Sequence, residues 1–371
     1  MNKELISDQQ GINLTVLFIF GSTLVMGTGG QAKGDTWIAV MLVLFLSVPV
    51  LMVYARILSR YPGKDLYDIL EEVFGKYLGR AFSLAFIWFS FHLGALVLRN
   101  FGEFMNTVGL PETPKAVPII MFALICAIGV KSGIETLGKC SSLFIVGVFS
   151  LLFLLAFLTI PNMKSENLLP IMYDGFKPVL QGTFSAFSFP FGELVVFMMV
   201  FDSLKKPNSS YKVYLKSLVI GGLVVFFISI RNVMVLGADT LGSVYFPSYT
   251  AISRINIGNF LQRLEIAVSI VFTLSGFIKI SICLMAATKG ITKLFGFKDY
   301  RVFVTPVGLL MVNLAYLVYD SIMEMFEWAF EIWPYYAFPF QVILPLIILI
   351  AVELKARLQN KNKQAKESNT D

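Results

Sequence analysis

The chain has 371 residues, 56% of them hydrophobic and 15% charged, with a formal charge of +6 and one histidine. Soluble domains carry about 25% charged residues, so this composition excludes a single soluble core and indicates a polytopic membrane protein. Three cysteines are too few for a disulfide scaffold, and a lone histidine excludes a histidine-based metal site.

Apolar segments follow one another along the chain near 10–30, 36–59, 80–107, 115–131, 138–160, 179–203, 212–237, 263–289, 302–319 and 334–355. Most have the ~20 apolar residues that cross the hydrocarbon layer, so the pattern predicts an all-α protein with ten transmembrane helices. No cleavable signal peptide is read, because the stretch from Ile12 runs on without a small-residue cleavage site. Residues 1–9 form a short N-terminus, 10–160 a first set of five helices, 161–178 a connection, 179–355 a second set and 356–371 a polar tail expected to be disordered. With the N-terminus in the cytoplasm, 21 of the 30 lysines and arginines fall on the cytoplasmic side. Lys33, Lys115, Lys164, Lys177, Arg254 and Arg263 fall outside, and Arg99, Arg231 and Lys279 lie within spans. That asymmetry is a positive-inside signal, places both termini in the cytoplasm and removes the motive for a nucleic-acid partner. Cys126, Cys140 and Cys283 lie in or at the cytoplasmic ends of spans, as small packing residues do.

Five helices in each half give the halves opposite orientations, the arithmetic of a five-plus-five inverted repeat. The first helix of each half carries a break signal near its middle: Gly21-Ser22-Thr23 in span 1, and Ser188-Phe189-Pro190-Phe191-Gly192-Glu193 in span 6. Proline lacks an N–H and clashes with the preceding turn, and glycine and hydroxyl residues weaken a helix further. A broken helix bares N–H groups at one half and carbonyls at the other, a pair suited to the carboxylate and ammonium of a zwitterion. Gly21, Ser22, Thr23, Ser188, Phe189, Pro190, Gly192 and Glu193 are therefore the candidate ligand-binding residues. The competing reading is that these small residues only permit close helix packing. Gly27-Thr28-Gly29-Gly30 reads as the outer end of span 1 and its loop.

An ionisable residue at the centre of a span is unfavourable by about 2.5–3.5 kcal/mol and suggests function. Glu193 could bind a substrate amine, carry a proton, or lock the break by accepting backbone N–H groups. Lys279, with Ser275 one turn earlier, lies near the middle of span 8. In five-plus-five folds a cation commonly lies between helices 1 and 8, and an ammonium there would replace a sodium ion; the alternative is a lysine that snorkels to the cytoplasmic face. His92 in span 3 could face a ligand or pack quietly. Arg99 and Glu103 are spaced i,i+4 as a structural salt bridge, and Arg231 with Asp239 reads similarly. Two segments are expected to lie flat on the membrane: 64–77, amphipathic, and 320–333, with Asp320, Glu324, Glu327 and Glu331 in one stripe and Trp328 and Trp333 at headgroup level.

The chain resembles the B subunits of bacterial endospore germinant receptors, a branch of the amino acid–polyamine–organocation transporter superfamily, over about residues 8–357. The likeness rests on Gly21-Ser22-Thr23-Leu24, Asp35-Thr36-Trp37-Ile38, Asp68-Ile69-Leu70-Glu71 with Gly75-Lys76-Tyr77-Leu78-Gly79, Arg99 with Glu103, and Ser188-Phe189 with Glu193. Thr23 stands where the superfamily often has a second glycine, and Pro190 sits inside the second break, so ligand preference does not carry over. The resemblance implies a LeuT-like fold in the inner membrane of a spore, a small nutrient germinant such as an amino acid sensed at midplane, and partnership with an A-type membrane subunit and a C-type lipoprotein subunit. A proton-coupled amino acid transporter is the alternative. No nucleophile–base–acid set, phosphate loop or metal cluster is present to suggest an enzyme or a cofactor.

Overall fold

The computed structural model describes residues 4–206, 208–255 and 264–367. Lys3, Arg263 and residues 368–371 lie outside the described residues. Among the described residues the α-helices are α1 (Asp8–Phe20), α2 (Thr23–Met26), α3 (Thr36–Arg60), α4 (Leu66–Phe104), α5 (Ala116–Lys131), α6 (Ile134–Thr159), α7 (Phe176–Ala186), α8 (Ser209–Leu236), α9 (Ala238–Leu241), α10 (Pro247–Ser253), α11 (Glu265–Phe295), α12 (Arg301–Leu317), α13 (Ile322–Glu327), α14 (Trp333–Phe338) and α15 (Leu344–Glu367). Eight helical runs among the described residues are long and apolar enough to cross a membrane. The predicted fourth and ninth spans fall on the shorter apolar helices α5 and α12, of 16 and 17 residues. At 1.5 Å per residue these reach about 25 Å, short of the ~30 Å hydrocarbon core.

The helices of least exposure form the centre. In the run Asp8–Met26, 89% of the most apolar window is buried, and in Phe176–Met199 it is 94%, against 17% for Ile134–Asn162 at the periphery. These two central runs are the ones whose sequence signals a break. α1 packs on α6, α8 and α11, and α4 packs along α11.

The segments expected on one side of the membrane meet at one end of the bundle. Ile6 exchanges backbone hydrogen bonds with Ser203 and Lys205. Glu4 accepts from Arg301 and from the Ile134 amide, and Asp8 accepts from Ser209 and Lys212. Asp65, fully buried, pairs with Lys293 at 2.6 Å and Lys289 at 3.3 Å, and Lys289 reaches Asp202 at 2.5 Å. Burial opposes ionisation of Asp65, but the two ammoniums outweigh it and hold its carboxyl below the usual range. At the opposite end Lys33 pairs with Asp174, and Asp35 accepts from the Met172 amide.

Four expectations are corrected. The amphipathic segment is a helical arm bent away from the rest of α4 at Gly75, whose φ of 76° favours glycine. Its apolar face is occupied by protein: Leu66, Tyr67, Ile69 and Leu70 are buried, and the Tyr67 hydroxyl donates to Ala286 O. Trp333 is buried at the bundle centre and not at headgroup level. Arg231 is not salt-bridged to Asp239; its guanidinium donates to Asn232 Oδ1, which lies on its own helix and shares its burial. Finally, α15 continues to Glu367, so residues 356–367 of the tail expected to be disordered are helical. A span already formed removes the nucleation barrier, and the Lys, Gln, Ala and Glu that follow are good helix formers.

Candidate functional site

Both breaks form where the sequence places them. α1 ends at Phe20, Gly21 leaves the helical region with ψ of −116°, and α2 restarts at Thr23. α7 ends at Ala186; Phe189 is extended at φ −141° and ψ 104°, and a tighter helical turn runs Gly192–Met199. Thr28 Oγ1 donates to the freed Phe189 carbonyl at 2.6 Å and joins the two broken runs.

Lys279 and Glu193 meet at this junction. Lys279 Nζ donates to Glu193 Oε2 at 2.5 Å, and the side chains are 0% and 1% exposed. The ammonium also lies 5.1 Å from the Phe18 ring centre and 4.9 Å from that of Phe189, one ring from each broken run. Lys279 therefore does not snorkel, and Glu193 accepts from a side chain and does not lock the break through backbone amides. A Cβ on Gly21 would collide with the Lys279 side chain, so the glycine makes room for the lysine. Gly192 does the same for Gln341.

The pair is not saturated. Glu193 Oε1 is buried without a hydrogen-bond partner among the described residues, as are the hydroxyls of Ser22, Thr23 and Ser275. Glu193 lines a cavity of about 30 Å³ with Phe189, Asn100, Tyr319, Trp328 and Trp333. That volume is about a tenth of the lower end of the ~300–1,000 Å³ range of small-molecule sites.

The other predicted residues have structural surroundings. Ser188 O accepts from Trp333 Nε1 at 3.2 Å and from Gln341 Nε2 at 2.9 Å. Pro190 is buried within the break. His92 stacks on Trp88 and bonds the Tyr336 hydroxyl at 3.1 Å, a packed position outside the cavity. Arg99 and Glu103 form the expected salt bridge, buried at 2% and 5% exposure. Arg99 also donates to the carbonyls of Ala315 and Tyr316 in the last turn of α12 and of Tyr319 just beyond it, and Lys115 joins Glu103 at 2.5 Å.

Sequence reasoning missed Gln341, Tyr54, Thr28 and the cavity-lining Asn100, Trp328 and Trp333. The Tyr54 hydroxyl donates to Gln341 O, so spans 2 and 10 buttress the second break. The available signal was a polar residue alone in an apolar run: Gln341 is the single strongly polar residue between Pro339 and Val352.

Comparison with known proteins gives the family and the fold. The model of the spore germination protein family matches residues 5–354. Spore germination protein KB of Bacillus subtilis (strain 168) is 29% identical over 370 residues, covering 98% of each chain. The putative spore germination protein YfkT of the same organism is 25% identical, covering 90% of this chain and 91% of its own. Among solved structures, the nucleobase-cation-symport-1 family transporter Mhp1 superposes with a TM-score of 0.65 at 12% identity, over 94% of this chain and 78% of its own. MhsT in complex with L-phenylalanine gives 0.60 at 12% identity, over 95% and 99%. The fold is LeuT-like.

Proposed function

The chain belongs to the spore germination protein family, and from that premise we propose that it is the nutrient-sensing subunit of a germination receptor. The ligand is a small zwitterion, most simply an amino acid, held between the breaks at Gly21–Thr23 and Ser188–Glu193. It sits in the inner membrane of the spore with both termini in the cytoplasm. It passes its signal to an A-type membrane subunit and a C-type lipoprotein subunit.

The observation that carries this reading is the buried Lys279–Glu193 pair, set where both helices break, with one carboxylate oxygen unpartnered among the described residues and Glu193 lining a cavity. Each ion buried from water loses several kcal/mol of solvation, and an apolar pair of similar shape is often at least as stable. A pair kept in that place points to a use other than stability. Glu193 Oε1 would accept the ligand's ammonium. Lys279 would occupy the place of a sodium ion and balance the charge of Glu193. The cavity is about 30 Å³, too small for an amino acid, so in this reading the ligand enters only when the breaks separate.

The test is germination of a deletion strain rescued by this gene with its neighbours and screened against individual amino acids, sugars and nucleosides. A response to an amino acid, lost on substitution of Glu193, is expected. A second reading, proton-coupled amino acid transport, is motivated by the same titratable pair. Robust concentrative uptake into proteoliposomes by this chain alone would replace the sensing reading with that one.

A further inference from the structure

The acidic stripe of 320–333 has no part in the midplane pair. Its four carboxylate residues are exposed, and Glu327 and Glu331 make no ion pair among the described residues. These two line a second, larger cavity of about 350 Å³ at the end of the bundle opposite the N-terminus. That volume falls in the ~300–1,000 Å³ range of small-molecule sites and is more than tenfold that of the midplane cavity.

The chemistry of the wall is one-sided. Glu327 and Glu331 supply carboxylates, and Gln31 Oε1 is buried without a hydrogen-bond partner among the described residues while its amide nitrogen is fixed on Phe330 O at 2.6 Å. Tyr245, Phe326 and Phe330 add aromatic faces. Among the described residues no lysine or arginine lines the cavity. Nearby Arg231 has its guanidinium on Asn232 Oδ1, and Lys33 is paired with Asp174. Carboxylates and aromatic faces without a competing cation attract an ammonium and repel a carboxylate or phosphate.

The cavity is also placed to feed the midplane. Met26, the last residue of α2, lines both cavities, and next to it Thr28 is bonded to the Phe189 carbonyl at the second break. The barrier between the chambers is therefore the outer end of the first broken run.

We propose that this cavity is a separate antechamber site for small primary ammonium compounds, with Glu327 and Glu331 as its selecting residues and Met26 as the partition from the midplane. Its role as an antechamber rests on the midplane reading above; its binding does not.

The full-length chain, purified in lipid nanodiscs, is titrated with propylammonium chloride, sodium propionate and propanamide at matched ionic strength, with melting temperature as the readout. Propylammonium is expected to stabilise the wild type saturably and propionate is not. Glu327→Gln with Glu331→Gln should weaken the apparent affinity at least tenfold, whereas Asp320→Asn, on the same face outside the cavity, should leave it unchanged. Because both glutamates are exposed and unpaired, the double variant is expected to fold. Glu193→Gln should retain binding. The proposal is overturned if the wild type shows no saturable effect, if propionate matches propylammonium, or if Asp320→Asn weakens binding as much as the double variant. Loss of binding in Glu193→Gln with retention in the double variant would assign the ammonium to the midplane, ending the antechamber while leaving the midplane reading intact.

Discussion

Two buried ion pairs in this protein use similar components differently. Arg99–Glu103 leaves no atom buried without a partner among the described residues: the guanidinium meets a carboxylate and three carbonyls in and just beyond the last turn of α12, and Glu103 Oε1 also receives Lys115. Lys279–Glu193 is the more deeply buried, yet one carboxylate oxygen and the nearby hydroxyls of Ser22, Thr23 and Ser275 are left without partners. A satisfied polar network in low dielectric rigidifies what it touches, whereas an unsatisfied one is unfavourable and stays only where something else maintains it. Burial and charge therefore do not separate a strut from a site; the remaining hydrogen-bonding capacity does.

The sharpest way to break this comparison is to remove one partner from each pair. Arg99→Met should destabilise the protein by about 3–5 kcal/mol, since Glu103 loses its main partner and three carbonyls lose their donor. Thermal unfolding in detergent measures this, and a change under 1 kcal/mol would remove the distinction. Lys279→Met strands Glu193 as a buried charge and should destabilise by about 3 kcal/mol while abolishing the nutrient response. Gly21→Leu pushes a side chain into the space of Lys279. It should destabilise by about 1–3 kcal/mol, leave the protein inserted and impair the response; normal response at normal protein level would deny the break a role.

Replacing both members sharpens the contrast further. Glu193→Gln with Lys279→Met should fall within about 1 kcal/mol of wild-type stability and still lose the response, because the desolvation of both ions is relieved with their attraction. Arg99→Met with Glu103→Gln should not recover, because the three carbonyls and Lys115 remain unpaired. The smallest expected effect is none: if Lys279 fills a sodium position, dose–response curves in sodium-free and sodium-containing buffer should coincide, and a steep sodium dependence would contradict that role.

The break positions were legible because glycine, proline and serine act on the backbone they belong to. Gly21 and Pro190 disrupt helices wherever the rest of the chain lies. Arg99 with Glu103 was legible for the same reason, since i,i+4 spacing is local. The pairing of Lys279 with Glu193 spans 86 positions and no period in the sequence reports it. Trp333 misled because an interfacial tryptophan and a buried one have the same neighbours in sequence. Arg231 misled because a carboxylate eight positions away is on a different element, and its bond goes to the adjacent Asn232.

By itself the sequence determined the membrane class, the helical content, the order of the apolar runs and the two places where a helix must fail, all consequences of side-chain transfer energies and local backbone sterics. Only the tertiary structure decided which charges meet, which hydroxyls are left without partners, and that one glutamate of the break lines a cavity while two glutamates of the acidic stripe line another. Those facts depend on how helices far apart in the chain pack, and packing is set by many weak contacts that no single residue carries.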